Sequence, residues 1–204
     1  MLRLDAISDG WARDIAVQET QNGIVVGAAA SADFSISGTQ VFVNRCSVDG
    51  EGTWPLVTQS TATGPIVVLN FTGDARAGVS PHQRWATGLL VDNARLPNTT
   101  TRTPGIAFSN RKTAGSGHGW DVGWAVAWNV ASPYLLVQQP PGAANWRIGC
   151  VGEALTKEGL ASGIFDSPGA PVVPSSLYLE QLRERLGDDA LANIGYAAAA
   201  RGAR

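Results

Sequence analysis

The chain has 204 residues, a net charge of −2, 44% hydrophobic and only 16% charged residues. That length and apolar content suit one folded domain with a buried core and exclude a disordered chain. The charge leaves no electrostatic footprint for nucleic acid, and no apolar run approaches the ~20 residues needed to span a membrane.

A helical bundle would carry more Lys and Glu on its faces, whereas 24 Gly and 11 Pro point to many turns. In chain order the strand candidates are Asp14–Gln18, Gly23–Val26, Thr39–Asn44, Ile66–Phe71, Gly88–Asp92, Gly105–Ser109, Gly123–Asn129, Tyr134–Gln138 and Arg147–Val151, each rich in Val, Ile, Leu, Phe or Trp. Turn clusters at 47–52, 73–75, 114–117 and 140–142 separate them. Helical periodicity appears only in the tail. There Leu179, Leu182 and Leu186 share one helix face over 175–186, with a Ser cap before and Gly187 after. Asp188–Tyr196 reads as a further turn or two in the same tail, and Val172–Pro174 links the tail to the strands.

The pattern Trp-x-x-Gly recurs at Trp85, Trp120 and Trp146, at offsets of 35 and 26 residues. Unequal spacing excludes a rigid repeat but suits a β solenoid, whose loops leave the stack at any length. The expectation is an all-β, right-handed parallel β-helix over 1–170, followed by a C-terminal helical cap and tail over 171–204, with the helix covering the last coil. Trp85, Trp120 and Trp146 should then lie on successive coils with much of their rings buried. The first residues, Met1–Asp5, lack both the apolar region of a signal peptide and a solenoid cap. The chain therefore reads as the C-terminal part of a secreted or periplasmic protein whose signal lies upstream. Its first coil, with Leu4, Ile15 and Val17, should expose an apolar end for the missing N-terminal coils or for a second copy. Cys46 and Cys150 show no metal spacing; they could pair, but buried free thiols are the expected state.

Three segments carry a resemblance: Pro81-His82-Gln83-Arg84-Trp85-Ala86-Thr87-Gly88, Gly115-Ser116-Gly117-His118-Gly119-Trp120 and Pro140-Pro141-Gly142-Ala143-Ala144-Asn145-Trp146. With the tail Ser175–Tyr196, about half the chain in all, they resemble bacterial right-handed β-helix proteins of the pectate-lyase-like superfamily. The resemblance implies that fold and a polysaccharide as partner. The superfamily holds lyases, glycoside hydrolases, epimerases and non-catalytic spikes, and fold alone does not choose among them. The calcium-binding carboxylate cluster of typical pectate lyases has no counterpart here.

The only two histidines, His82 and His118, precede a repeated Trp at nearly the same offset. Stacked coils would bring them to one edge, with Arg84, Arg111, Lys112, Asn145 and Arg147 in the same zone. A lyase acting on a uronate needs a base, a cation for the substrate carboxylate and an acid for the leaving oxygen. His118 or His82 supplies the base, Arg84 the bidentate cation, and Lys112 and Asp121 complete the catalytic candidates. Trp85, Trp120, Trp146, Asn145, Arg147 and Arg111 are the candidate substrate contacts. Each also has a plain structural role open to it: a His in a turn fastens backbone, and a Trp in a solenoid usually packs. A hydrolase would need two facing carboxylates, and Asp92, Asp121 and Glu153 are the available ones. No metal or cofactor motif is present: there is no His-Glu-x-x-His, Cys-x-x-Cys or phosphate-binding glycine loop. The leading expectation is a polysaccharide lyase on an acidic polymer. The alternatives are a non-catalytic glycan-binding or structural β-helix module, or a glycoside hydrolase of the same fold.

Overall fold

The structure is a computed structural model that describes residues 2–4, 10–18, 32–49, 54–73, 78–97 and 102–196. It is an all-β solenoid of parallel strands with a short helical tail. Coil 1 holds β1 (Leu2–Leu4), β2 (Trp11–Arg13) and β3 (Ala16–Gln18); coil 2 holds β4 (Ala32–Ile36), β5 (Val41–Asn44) and β6 (Ser47–Asp49). Coil 3 holds β7 (Trp54–Thr58), β8 (Thr63–Leu69) and β9 (Thr72–Gly73), and coil 4 is built on β10 (Ala86–Asp92). Coil 5 holds β11 (Ile106–Phe108), β12 (Val122–Gly123) and β13 (Ala125–Trp128). The last two coils share β14 (Ala131–Val137), β15 (Asn145–Ile148), β16 (Val151–Leu155) and β17 (Ile164–Asp166).

These strands stack into three walls. Sheet II is continuous, in the order β2-β5-β8-β10-β13-β15-β17, every pair parallel. Sheet I joins β1-β4-β7 to β11-β14-β16 through Val79, which bridges Leu56 on one side and Ile106 on the other. Sheet III runs β3-β6-β9 and continues through Arg95 to Ala131. Side chains alternate in and out of each wall. The inward row of sheet II is Ala12, Val43, Val68, Val91, Ala127, Arg147 and Phe165, and that of sheet I includes Phe34, Leu56, Val79, Ile106 and Leu135. Apolar residues dominate both rows because each wall is covered on its inner side by the other two.

A strict repeat marks the corner after sheet II. Two residues beyond each inward position the chain takes a left-handed conformation: Asp14, Arg45, Asn70, Asn93, Asn129, Gly149 and Ser167, with φ between 47° and 65°. The next residue turns back into the core as Ile15, Cys46, Phe71, Ala94, Val130 or Cys150. Asn and Gly are the residues that reach this conformation at least cost. Cys46 and Cys150 are both buried free thiols at this corner.

The tail forms α1 (Leu177–Leu186), capped by the Ser176 hydroxyl on the Leu179 amide, and α2 (Asp188–Asn193). It does not sit over the last coil. Trp128 donates from its indole to the Pro174 carbonyl, Asp92 accepts from the Ser176 hydroxyl and the Tyr178 amide, and Tyr178 stacks on Phe42 at 4.8 Å. Tyr196 then donates to the Asn44 side chain. The tail is thus a strap running back along the corner between sheets II and III, from coil 5 to coil 2. The physical reason is the outward face of sheet II, where Phe42, Val67, Leu90 and Val126 are apolar and need cover. β17 has no strand above it among the described residues, and Ile164 is 48% exposed.

Two expectations change and one falls outside the described residues. The Gly23–Val26 strand lies outside the described residues. The 47–49 turn is a strand, β6, because it pairs with β3 and β9. The Trp repeat is not a structural one, since Ala86 pairs with Val122 and Trp85 therefore stands opposite Asp121. Trp85 donates its amide to the Trp120 carbonyl on the next coil at 2.9 Å, and Trp146 stands in register with Val126. Of the first-coil residues expected to be exposed, Leu4 and Val17 have side chains outside the described set, while Ile15 is partly buried against the core.

Candidate functional site

The corner before sheet II is irregular, and the candidate residues gather there. In coil 5 the chain leaves the stack after Ser109 and returns at Trp120, which pairs antiparallel with Asn110 at the base of the excursion. This loop carries Arg111, Lys112 and His118 over coil 4, where Pro81–Trp85 turns from sheet I to sheet II. The two imidazoles meet edge to face, with centroids 4.9 Å apart.

His82 is half-buried and held from below. Gln59 Nε2 donates to Ser35 Oγ at 2.8 Å, which turns Gln59 Oε1 toward His82 Nδ1 at 3.1 Å. A carbonyl oxygen only accepts, so Nδ1 carries the proton and Nε2 the lone pair. Ser35, Gln59 and His82 come from three successive coils. Burial, then the Arg111 guanidinium and then His118, push the His82 pKa below its ordinary value. Arg111 donates to the His82 carbonyl and lies over the Trp54 ring at 5.8 Å. Trp54, Val57, Ser80, His82 and Arg111 line a cavity of about 30 Å³, the room of about one water molecule.

His118 is more enclosed, 7% exposed, with Nδ1 buried and unpartnered. Its Nε2 lies against Gly115: a Cβ there would come within 2.2 Å of it, and the residue has φ +54°. Only glycine meets both conditions. Burial, Arg111 and Arg84 lower the His118 pKa. Arg84 is exposed and clamps the excursion, donating Nη2 to Ser116 O at 2.8 Å and Nε to Gly117 O at 3.2 Å. Lys112 is exposed at the loop's start. Lys157 donates to the Asn110 carbonyl at 3.3 Å and borders a wider groove over coils 5 to 7, about 470 Å³, lined also by Arg102, Leu136 and Glu153.

Several candidates are placed otherwise than the sequence suggested. Asp121 is fully buried; it accepts from the Ser109 amide at 2.8 Å, and burial raises its pKa well above the carboxylate range. It is a structural acid at the floor of the corner, accepting also from the Ser109 hydroxyl at 3.2 Å. Asn145 is inside the coil, bonded to Ala125 N, Val122 O and Gln138 O, so it fastens backbone. Arg147 points into the solenoid, 3% exposed, stacked 4.6 Å from Phe165. Strand alternation puts both on the inner side, so neither reaches a ligand on the surface. Asp92 lies under the strap and Glu153 pairs with Arg102, so the three acids considered for hydrolysis do not face one another. Among the described residues no group of three His, Cys, Asp or Glu could hold a metal ion, and no helix is long and apolar enough to cross a membrane.

Of the three tryptophans expected to bury much of their rings, Trp120 and Trp146 do so and Trp85 does not. Trp85 is 40% exposed, while Trp120 and Trp146 are half-buried. A fourth, Trp124, is 50% exposed and tilts against Trp146 with centroids 6.1 Å apart. Gln59, Ser35 and Trp124 carry no local sequence signal, since only the stacking of coils brings them to this corner. Comparison of the chain with family models, with curated proteins and with solved structures found no match to any of the three.

Proposed function

We propose that the protein is a carbohydrate-active solenoid of the pectate-lyase-like kind, a lyase that cleaves a uronate-containing polysaccharide by β-elimination. The observation that carries the reading is the Ser35–Gln59–His82 chain, which fixes one tautomer of an imidazole whose pKa is already lowered. His82 is then a neutral base at neutral pH, with its free lone pair on Nε2. A cationic corner supports it: Arg84, Arg111 and Lys112 gather there, while Asp121 is fully buried.

In the proposed reaction His82 Nε2 takes the proton from the carbon α to the substrate carboxylate. The electron pair forms the new carbon–carbon double bond and expels the glycosidic oxygen, which is protonated by the Lys112 ammonium or by water. A guanidinium facing the carboxylate stabilises the charge that develops on it. The geometry shifts the base from His118, the first expectation, to His82, because His118 is walled off by Gly115.

The test is the ultraviolet absorbance of the unsaturated product on a panel of polyuronates. The wild type should generate it, with the acid limb of the rate profile below pH 6.5, the ordinary histidine value. His82→Ala should lower kcat by ~10²–10⁴ while stability stays within ~1 kcal/mol. If a folded wild type yields no unsaturated product on any polyuronate, the lyase reading fails. The exposed tryptophans would then favour a glycan-binding module without catalysis.

A further inference from the structure

We infer that Trp85, Trp124 and Trp146 form a track along the solenoid axis that binds an acidic polysaccharide as an extended chain. The inference takes the class of its occupant from the glycan reading above but rests on separate observations. The three residues stand on successive coils: Trp85 just before β10, Trp124 between β12 and β13, and Trp146 in β15. Their rings form one strip. The Trp85 ring lies against Gly123, where a Cβ would meet it at 3.3 Å, and Trp124 follows in sequence and leans on Trp146. Ile164, in register with Trp146, extends the strip to the last coil. Coils stack ~4.8 Å apart, so the strip runs parallel to the axis, along which a polymer can continue.

The backbone of this corner is left-handed on several coils, at Gln40, Thr61 and Gly88 as well as at the two tryptophans. Trp85 and Trp124 hold φ of 59° and 58°, a left-handed conformation that bulky residues rarely adopt. At the position matching Trp124 in coil 4 the chain uses Gly88, with φ 66°. The fold therefore accepts glycine at this turn, yet a tryptophan is held there with half its surface in water. The left-handed turn belongs to the corner, but packing does not explain an indole held on it with half its surface in water. A pyranose ring offers an apolar face to an indole, and its hydroxyls stay in water.

Charge selects the kind of sugar. Arg84 directly precedes Trp85 and is exposed, Lys112 is exposed on the excursion that Arg84 clamps, and the corner's own carboxyl, Asp121, is buried away from the surface. A chain bearing carboxylates complements that edge, and a neutral glucan lacks the charge.

The experiment measures binding of the full chain to polygalacturonate, alginate and neutral cello-oligosaccharide by calorimetry, in a His82→Ala background so that polymer is not consumed. Binding to a polyuronate is expected, weakened by salt, and at least tenfold weaker in Trp124→Ala and in Trp85→Ala. Trp11→Ala is the control, since Trp11 is 61% exposed on coil 1, distant along the stack. Thermal melts verify that each variant is folded. The inference is overturned if the parent binds neither polyuronate, if it prefers the neutral oligosaccharide, or if Trp124→Ala binds as the parent does. Loss of self-association in Trp124→Ala, with glycan binding unchanged, would also overturn it by making the strip a protein contact. Binding that depends on the tryptophans, in a wild type that produces no unsaturated sugar, sinks the lyase reading and leaves the track standing.

Discussion

Sheet II has two edges, and they are built differently. At its trailing edge every coil turns the same way: an inward residue, a spacer, a left-handed residue, and a residue that returns to the core. Asn70, Asn93 and Asn129 hold that turn on successive coils, and the strap is laid along it by bonds from Asn44, Asp92, Trp128 and Asn129. At its leading edge a left-handed turn recurs at Gln40, Gly88 and Trp124 and another at Thr61 and Trp85, but the loops that enter it differ from coil to coil. An excursion over 109–121 enters there, two histidines meet, and two tryptophans occupy the left-handed conformation. The trailing edge serves stacking and tolerates little change. The leading edge is free to vary because its loops leave the stack, and that is where binding and chemistry can be built.

The largest test of this contrast is Phe71→Ala. Phe71 is fully buried at the trailing corner and meets Phe34 edge to face at 5.8 Å. Its truncation should cost ~3–5 kcal/mol in denaturant unfolding. A cost under 1 kcal/mol would mean that the corner does not hold the stack together.

Next is the strap. Asp92→Ala removes the acceptor for both the Ser176 hydroxyl and the Tyr178 amide. The expected loss is ~1–3 kcal/mol, with limited proteolysis now cutting near 172–178. Unchanged proteolysis would show that the aromatic contact of Tyr178 on Phe42 suffices.

A third test is electrostatic and lies at the leading edge. The folded pKa of Asp121 is raised above 3.8, mainly by burial. Such a group binds its proton more tightly in the folded state, so its contribution to stability is complete below the unfolded pKa and is lost as pH rises through the folded value. Asp121→Asn should therefore match the wild type in acid and gain on it as pH rises. Parallel stability curves for the two proteins would contradict the raised pKa of the buried acid.

The smallest effect sharpens the comparison most. Trp124→Gly should stay within ~1 kcal/mol of wild type, because relief of the left-handed backbone offsets the lost contact with Trp146. Trp124→Ala, which keeps a Cβ in that conformation, should be the less stable of the two. The reverse order in thermal melts would show that the backbone there is not strained.

The sequence made parts of both edges readable. Alternating Val, Ile, Leu and Phe between turn residues announce stacked strands, and the leucine spacing of 179, 182 and 186 with Ser and Gly at its ends announces the helix. The trailing-edge repeat was also present, as an apolar residue, a spacer, then Asp, Arg, Asn, Gly or Ser, then an apolar residue. Its spacing drifts with the loops, and its members differ in chemistry, so Trp-x-x-Gly drew attention instead. That pattern equated Trp85, Trp120 and Trp146, whereas register puts Trp85 opposite Asp121 and Trp146 opposite Val126. Asn145 and Arg147 look like surface polar residues in the sequence; strand alternation turns them inward.

By itself the sequence determined the class of fold, the helical tail and the short roll of residues capable of chemistry, since these follow from local periodicity, turn preference and side-chain type. Only the tertiary structure decided which of them meet. It joined Ser35, Gln59 and His82 across three coils, set His118 against His82, sealed Asp121, exposed Trp124 and laid the tail along the flank. In a solenoid the distance between residues depends on coil register, and register depends on loop lengths that the strands themselves do not record.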